Sequence, residues 1–275
     1  MNNVKMVLFD LDDTLIPDNG TLSERTAQGL EKLHENGVVL VLASGRSVEE
    51  LEIRLEGWHM KYGVDAIIGL NGCEYKNLHT GQLHATHKLQ PETMAAVLEA
   101  MHEAGFKFIP MLYRGMTLLA AKRTPVMERS AANAKRSLEI VDEAELCRVP
   151  CAKIMLRTDD GEEVVKMEEW LKTNSVPDTS AFKTQPTLME FSIPGISKAT
   201  PLDELGKEFG VKREEMLAFG DSTNDNQLLI DAGKGVALAN AAHDTLAIAD
   251  DVTEKPVTED GLIEYIALHY PEILK

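Results

Sequence analysis

The chain has 275 residues, with 28 Lys plus Arg against 45 Asp plus Glu, a formal charge of −17. That charge argues against binding nucleic acid through its phosphates or docking on an anionic membrane, since both need a basic footprint. Hydrophobic residues at 44% and charged residues at 27% give a globular balance and exclude a disordered chain, and the length suits one large domain or two modest ones.

Val4 to Phe9 is a short apolar run that stops at acidic residues, the pattern of a buried strand. Thr21 and Ser23 open a helical pattern carried by Leu22, Leu30 and Leu33. Gly37 closes it, the residue type favoured just past a helix end. Val38 to Ala43 reads as a second strand, Ser47 to Glu50 as a capping box opening a second helix, and Ala66 to Leu70 as a third strand. This alternation implies parallel strands joined by right-handed crossovers, with helices on the faces. The middle of the chain has its own pattern: a long helix from Pro91 to Ala104, strands at Thr117 to Ala121 and Ala152 to Arg157, and a helix from Glu162 to Lys172. The alternation then returns. Lys198 to Phe209 reads as a helix, Met216 to Phe219 as a strand, Asp225 to Ala232 as a helix, Gly235 to Leu238 as a strand and Leu262 to His269 as a terminal helix. The expected fold class is α/β, with a Rossmann-like parallel-sheet core made of 1–80 and 191–275 and a second α/β module, 81–190, inserted into it.

Phe9-Asp10-Leu11-Asp12-Asp13-Thr14-Leu15 places three carboxylates directly after the first strand. In an open parallel sheet the ligand crevice lies beyond the carboxyl ends of the strands. Asp10 and Asp12 can face one site there, and crowded carboxylates need a cation or a shared proton. Mg²⁺ suits such hard oxygen donors. An acidic turn with Asp12 or Asp13 as a helix cap would also explain this segment taken alone. Phe219-Gly220-Asp221-Ser222-Thr223-Asn224-Asp225 repeats the arrangement after a late strand, and two acidic clusters at strand ends favour a metal site over two unrelated caps. Ser44-Gly45-Arg46 ends the second strand with a hydroxyl and backbone N–H groups able to hold phosphate oxygens. Lys198 adds charge to an anion site at the start of its helix. His79, His84 and His87 are spaced for neither one helix face nor one strand face and read as solvated hairpin residues. Cys147 and Cys151 do not make a zinc spacing.

Asp10-x-Asp12-x-Thr14 after a first strand, followed in order by Ser44-Gly45-Arg46, Lys198 and Gly220-Asp221-x-x-Asn224-Asp225, resembles the motif series of the haloacid dehalogenase superfamily. The long insertion between Arg46 and Lys198, with Asn71-Gly72 after the third strand, resembles its Cof-type phosphatases, which carry a large α/β cap. The resemblance runs over essentially the whole chain. It implies a Mg²⁺-dependent phosphatase of small phosphorylated metabolites, working through an aspartyl-phosphate on Asp10. Sugar phosphates are the first expectation and phosphorylated cofactors such as flavin mononucleotide or pyridoxal phosphate the second. Asp12 would be the acid and base, and its surroundings should then raise its pKa relative to Asp10. The metal would be held by Asp10, the backbone carbonyl of Asp12, and Asp221, with Asp225 binding directly or through water. Ser44, the backbone N–H groups of Leu11 and Gly45, Lys198 and Asn224 would grip the phosphate, while Thr14 would support the loop.

The insertion would close over the site and choose the leaving group, which points away from phosphoproteins and duplex nucleic acid. Tyr113, Arg114, Arg123, Lys153 and Glu190 are its candidates to reach substrate. A phosphomutase of the same superfamily, or a metabolite-binding regulator without turnover, would share the fold, and intact Asp10 and Asp12 count against the regulator. Relatives often place a glycine before the Asn-Ala that follows the late strand; here Ala239 precedes Asn240-Ala241. No apolar run approaches the ~20 residues of a membrane-spanning helix, and the short apolar run before Asp10 is no secretory signal. A cytoplasmic enzyme with reduced thiols at Cys73, Cys147 and Cys151 is expected, as a monomer or weak homodimer.

Overall fold

β1 (Met6–Asp10) is buried at every position, as befits a strand covered on both faces. The computed structural model to which it belongs describes residues 3–17, 20–58, 60–133 and 135–275. α1 (Glu24–Glu35) is capped by Ser23, whose hydroxyl accepts from the Thr26 N–H, and its Leu30 and Leu33 pack into the core. β2 (Val39–Ala43) leads into α2 (Val48–Glu56), capped by Ser47 through the Glu50 N–H. β3 (Ala66–Gly69) follows. The chain then reverses through β4 (Glu74–Asn77) and β5 (Leu83–His84), which add to the edge antiparallel.

The inserted segment contributes α3 (Pro91–Glu103), β6 (Ile109–Arg114), β7 (Thr117–Ala120), α4 (Pro125–Asn133), β8 (Ser137–Ile140), α5 (Glu143–Leu146), β9 (Lys153–Arg157), α6 (Gly161–Leu171), β10 (Ser180–Gln185) and β11 (Leu188–Ser192). Its six strands form one sheet in the order β10-β11-β9-β6-β7-β8, antiparallel except for β7 beside β8. Met94, Val97 and Met101 of α3 and Val164 and Met167 of α6 join Ile154, Leu156, Met189 and Phe191 in its main core.

The chain returns through α7 (Leu202–Phe209), β12 (Met216–Gly220), α8 (Asn226–Asp231), β13 (Lys234–Ala237), α9 (His243–Ile248), β14 (Asp251–Val252) and α10 (Gly261–His269). Two compact units result, Met1–Thr86 with Ile196–Lys275, and His87–Gly195. The first limit differs from the expected 81 because β5 still pairs with β4 of the first sheet, and the second from 190 because β11 pairs with β9 as far as Ser192. No helix among the described residues is long and apolar enough to cross a membrane.

The first sheet has the order β14-β13-β12-β1-β2-β3-β4-β5. Its six strands from β14 to β3 are parallel. The chain runs outward from β1 to β3 on one side and re-enters at β12 on the other. That reversal opens a crevice at the carboxyl ends of β1 and β12. Asp10 lies opposite Ala43, and Phe9 opposite Phe219, so the segments after β1, β2 and β12 emerge side by side.

One expected element is corrected. The helix read from Lys198 begins at Leu202, with Pro201 as its cap. Proline has no N–H and pushes its predecessor out of helical backbone. Lys198 sits instead in a tight turn in which the Thr200 N–H donates to the Ser197 carbonyl.

Candidate active site

Asp10 ends β1 with its side chain buried, and Asp221 follows directly after β12. After Asp221 the chain makes one turn of 3₁₀ helix, Thr223–Asp225, which brings Asp225 back beneath Gly220. A Cβ on Gly220 would lie 2.4 Å from the Asp225 Cβ, so only glycine permits this return. Asp225 Oδ2 accepts from the N–H groups of Asp221 at 3.1 Å and Ser222 at 3.0 Å. One carboxylate oxygen from each of Asp10, Asp221 and Asp225 falls within 4.8 Å of the others, and all three residues are buried. Asp221 is held by Thr14 Oγ1 at 2.6 Å and Ser222 Oγ at 2.8 Å.

Lys198 is fully buried and lies between two of these acids, its Nζ 2.5 Å from both Asp10 Oδ1 and Asp225 Oδ1. Its turn is seated by Gly72, which has φ +93° and approaches so closely that a Cβ there would stand 1.9 Å from the Ser197 carbonyl oxygen. Burial alone would lower the lysine pKa, but Asp10 and Asp225 reverse this and hold it charged. Burial pushes the Asp10 carboxyl up to about 8; Lys198 opposes the shift, while Asp225 and Asp221 add to it. Asp221 is likewise raised by burial, against the hydrogen bonds from Thr14 and Ser222. Three carboxylates therefore share one ammonium, and the cluster carries more negative charge than its own lysine offsets. The hard oxygen donors and the surplus charge both suit a divalent cation.

Asp12 stands apart from this cluster. Its side chain is 49% exposed. Both of its oxygens accept from Arg46, Oδ2 from Nε at 2.8 Å and Oδ1 from Nη2 at 3.1 Å. Arg46 Nη1 in turn reaches Glu50 Oε1 at 2.6 Å. The expectation places the raised carboxyl group at Asp12, which is open to water and faces a guanidinium. Buried Asp10 is the carboxyl group pushed up.

Ser44 is buried at the end of β2, and its Oγ accepts from the Arg46 N–H at 3.3 Å. Gly45 follows it in the loop after β2, and Leu11 follows Asp10, which pairs with Ala43 in the sheet. Asn224 donates through Nδ2 to Asn71 Oδ1 at 3.1 Å, joining the loop after β3 to the turn after β12. Asn240 donates to the Asp13 carbonyl at 2.8 Å and accepts from the Val257 N–H. The loop after β13, which holds Ala239 and Asn240, is therefore tied to the loop after β1. Sequence reasoning missed the partners of Arg46, Asn71 and Asn240; Asn71-Gly72 directly after a strand was the available signal for one of them. His79 and His84 also have partners, Asp65 at 2.7 Å and the stacked ring of Tyr75. In the inserted unit, Lys153 and Glu190 pair at 2.9 Å on neighbouring strands, and Arg114 pairs with Glu145.

The family model for haloacid dehalogenase-like hydrolases matches residues 7–266. A phosphoglycolate phosphatase of Methanoculleus marisnigri is 29% identical over 269 residues, 98% of this chain and 97% of that one. An HMP-PP phosphatase of Cronobacter sakazakii is 26% identical over 242 residues, 87% and 85% of the two chains. The solved structure of a haloacid dehalogenase-like hydrolase from Bacteroides thetaiotaomicron superposes with a TM-score of 0.84 at 26% identity, over 98% of this chain and 100% of that one. With agreement in sequence and fold across nearly its whole length, the chain belongs to the haloacid dehalogenase-like hydrolase family.

Proposed function

We propose that the protein is a Mg²⁺-dependent phosphatase that hydrolyses small phosphorylated metabolites through an aspartyl-phosphate on Asp10. The observation that carries this reading is the convergence of Asp10, Asp221 and Asp225 around Lys198 at the carboxyl ends of β1 and β12. Asp10, Asp221 and Asp225, with the Asp12 backbone carbonyl, would hold the ion. When bound, the ion supplies the positive charge that lets Asp10 ionise and that offsets repulsion between its carboxylate and a phosphate dianion.

An Asp10 oxygen attacks phosphorus, and the bond to the leaving oxygen breaks as Asp12 gives that oxygen a proton. Water then attacks phosphorus of the aspartyl-phosphate, Asp12 takes the proton, and Asp10 is freed as phosphate departs. Lys198, Ser44, Asn224 and the N–H groups of Leu11 and Gly45 hold the non-bridging oxygens, where charge sits in the transition state. Lys198 bridges Asp10 and Asp225, so it also keeps the nucleophile aimed. Substrate choice is assigned to the inserted unit, which carries no member of the acidic cluster. The relatives are named for unlike phosphates, so the substrate class is drawn broadly, with sugar phosphates first.

The test is phosphate release from a panel of metabolite phosphomonoesters, with Mg²⁺ and with EDTA, for the wild type and Asp10→Asn. Turnover should require the ion and vanish in the variant while the circular dichroism spectrum is kept. A variant with near-wild-type rates would remove Asp10 as nucleophile.

A further inference from the structure

We infer that Arg46 is a positioning residue that aims the Asp12 carboxyl group at the leaving oxygen. The inference rests on the proposed roles of Asp10 and Asp12.

An aspartate on an exposed loop has several rotamers of similar energy, and most of them point away from any one reacting atom. Proton transfer needs the acid within hydrogen-bond reach of the leaving oxygen, so an unrestrained Asp12 would spend much of its time out of range. Asp12 is half-exposed, and among the described residues the contacts that fix its carboxylate come from one group. The Arg46 fork meets both of its oxygens, Nε to Oδ2 and Nη2 to Oδ1. A two-point planar contact of this kind sets orientation as well as position.

The arginine is itself fixed. Its backbone follows β2, one residue before the Ser47 cap of α2. Its third nitrogen, Nη1, lies 2.6 Å from Glu50 Oε1 on the first turn of that helix. Glu50 is only 8% exposed and also receives Arg54 Nε at 3.5 Å. A chain of charge-assisted contacts thus runs from the rigid start of a helix, through Arg46, to a carboxyl group on a loop. In the acid step the proton leaves Asp12 Oδ1 for the leaving oxygen as the bond to phosphorus breaks. The longer contact, Nη2 to Oδ1, is the one released while that oxygen carries the proton, and Nε keeps Oδ2. In the second step the proton of the attacking water returns to Oδ1.

Leaving-group basicity separates this role from a structural one. Phenolate needs a proton to depart far more than 4-nitrophenolate does, and the two phosphate esters are nearly the same size. With Mg²⁺ present, Arg46→Ala should lower kcat/KM, which reports the steps through departure of the leaving group, roughly 10–100-fold on phenyl phosphate, part of the full effect of a general acid, and by under about threefold on 4-nitrophenyl phosphate; kcat also carries the later hydrolysis of the aspartyl-phosphate, where Asp12 is the base, and falls for both. Arg46→Lys should recover only part of the loss, because an ammonium makes a single-point contact. Glu50→Gln should show the same selectivity more weakly. Equal losses of kcat/KM on the two esters, or a gain in it, would overturn the inference. Asp12→Asn is the reference. If it shows no preference for the better leaving group, the assignment of Asp12 fails; if it shows one and Arg46→Ala does not, only the role of Arg46 fails. Wild-type protein that releases phosphate from neither ester would remove the phosphatase reading beneath both.

Discussion

Replacing Lys198 by methionine keeps a long, flexible side chain in a fully buried position but deletes the ammonium that faces Asp10 and Asp225, 2.5 Å from each. Removing one partner of a buried ion pair typically costs about 3–5 kcal/mol, because the other charge is left without compensation. For a protein of this size each kcal/mol moves the melting temperature by about 2–4 °C, so the variant should melt roughly 6–20 °C lower in EDTA. The deficit should depend on pH. Asp10 is held up to about 8 against an ordinary 3.8 even with the lysine present. A carboxyl group with a raised folded pKa contributes stability that is complete below its unfolded pKa and is lost as pH rises through the folded one. Without the ammonium that pKa rises further, so the variant's loss through Asp10 should be small near pH 5, where Asp10 is protonated in both proteins, and should grow as pH rises above about 8. Melting both proteins at pH 5 and pH 8.5, followed by circular dichroism, measures this directly. Adding Asp225→Asn to Lys198→Met should recover at least about 1 kcal/mol, since the two residues are in contact. A shift under about 2 °C at pH 8.5, or the same loss at both pH values, would mean that Lys198 does not neutralise this cluster.

Gly72→Ala should destabilise the protein by about 2 kcal/mol or more in urea, because φ is +93° and the new Cβ would stand 1.9 Å from the Ser197 carbonyl; turnover should fall with it, since that carbonyl precedes Lys198. Thr14→Val removes the 2.6 Å hydrogen bond that orients Asp221, so Mg²⁺ affinity measured by calorimetry should drop about 10–100-fold. An unchanged affinity would show that Asp221 is held well enough by Ser222. Mg²⁺ competes with the proton on Asp10, whose carboxyl is held near 8, so the rise in melting temperature on adding Mg²⁺ should be larger at pH 8 than at pH 6. The opposite order would take Asp10 out of the metal site.

What could be read from the residues was whatever is local. Val4 to Phe9, Val38 to Ala43 and Met216 to Phe219 are apolar runs that stop at Asp10, at Ser44-Gly45 and at Gly220-Asp221, and each is a buried strand whose end carries candidate site residues. Ser23 and Ser47 announced their helices through hydroxyl caps. Contacts between distant positions left no such mark. Nothing near Arg46 says that its fork closes on Asp12, thirty-four residues earlier, and nothing near Asn71 says that it meets Asn224. The turn around His79 and His84 was read as a hairpin, but its strands β4 and β5 were not given, because two short, partly exposed strands carry little periodicity. The start of α7 was misplaced because the apolar pattern continues through Pro201, whose missing N–H, not its hydrophobicity, sets the boundary.

The charge of the cluster has a further consequence. A core selected only for stability would bury neutral side chains here, since buried ion pairs gain little over well-packed apolar groups. Instead three acids and one lysine are packed together, a formal surplus of two negative charges when all three acids are ionised. The raised pKa of Asp10 is the local sign of that surplus. A monovalent cation would leave the cluster negative and hostile to a phosphate dianion. A divalent ion brings it to neutrality, so that the approach of phosphate is no longer opposed by the nucleophile's own neighbours. In the proposed mechanism the same count leaves Lys198 short, since one ammonium shared between Asp10 and Asp225 would have both to ionise the nucleophile and to attract the substrate. The positive charge that Lys198 does not supply is the part of the chemistry assigned to the metal.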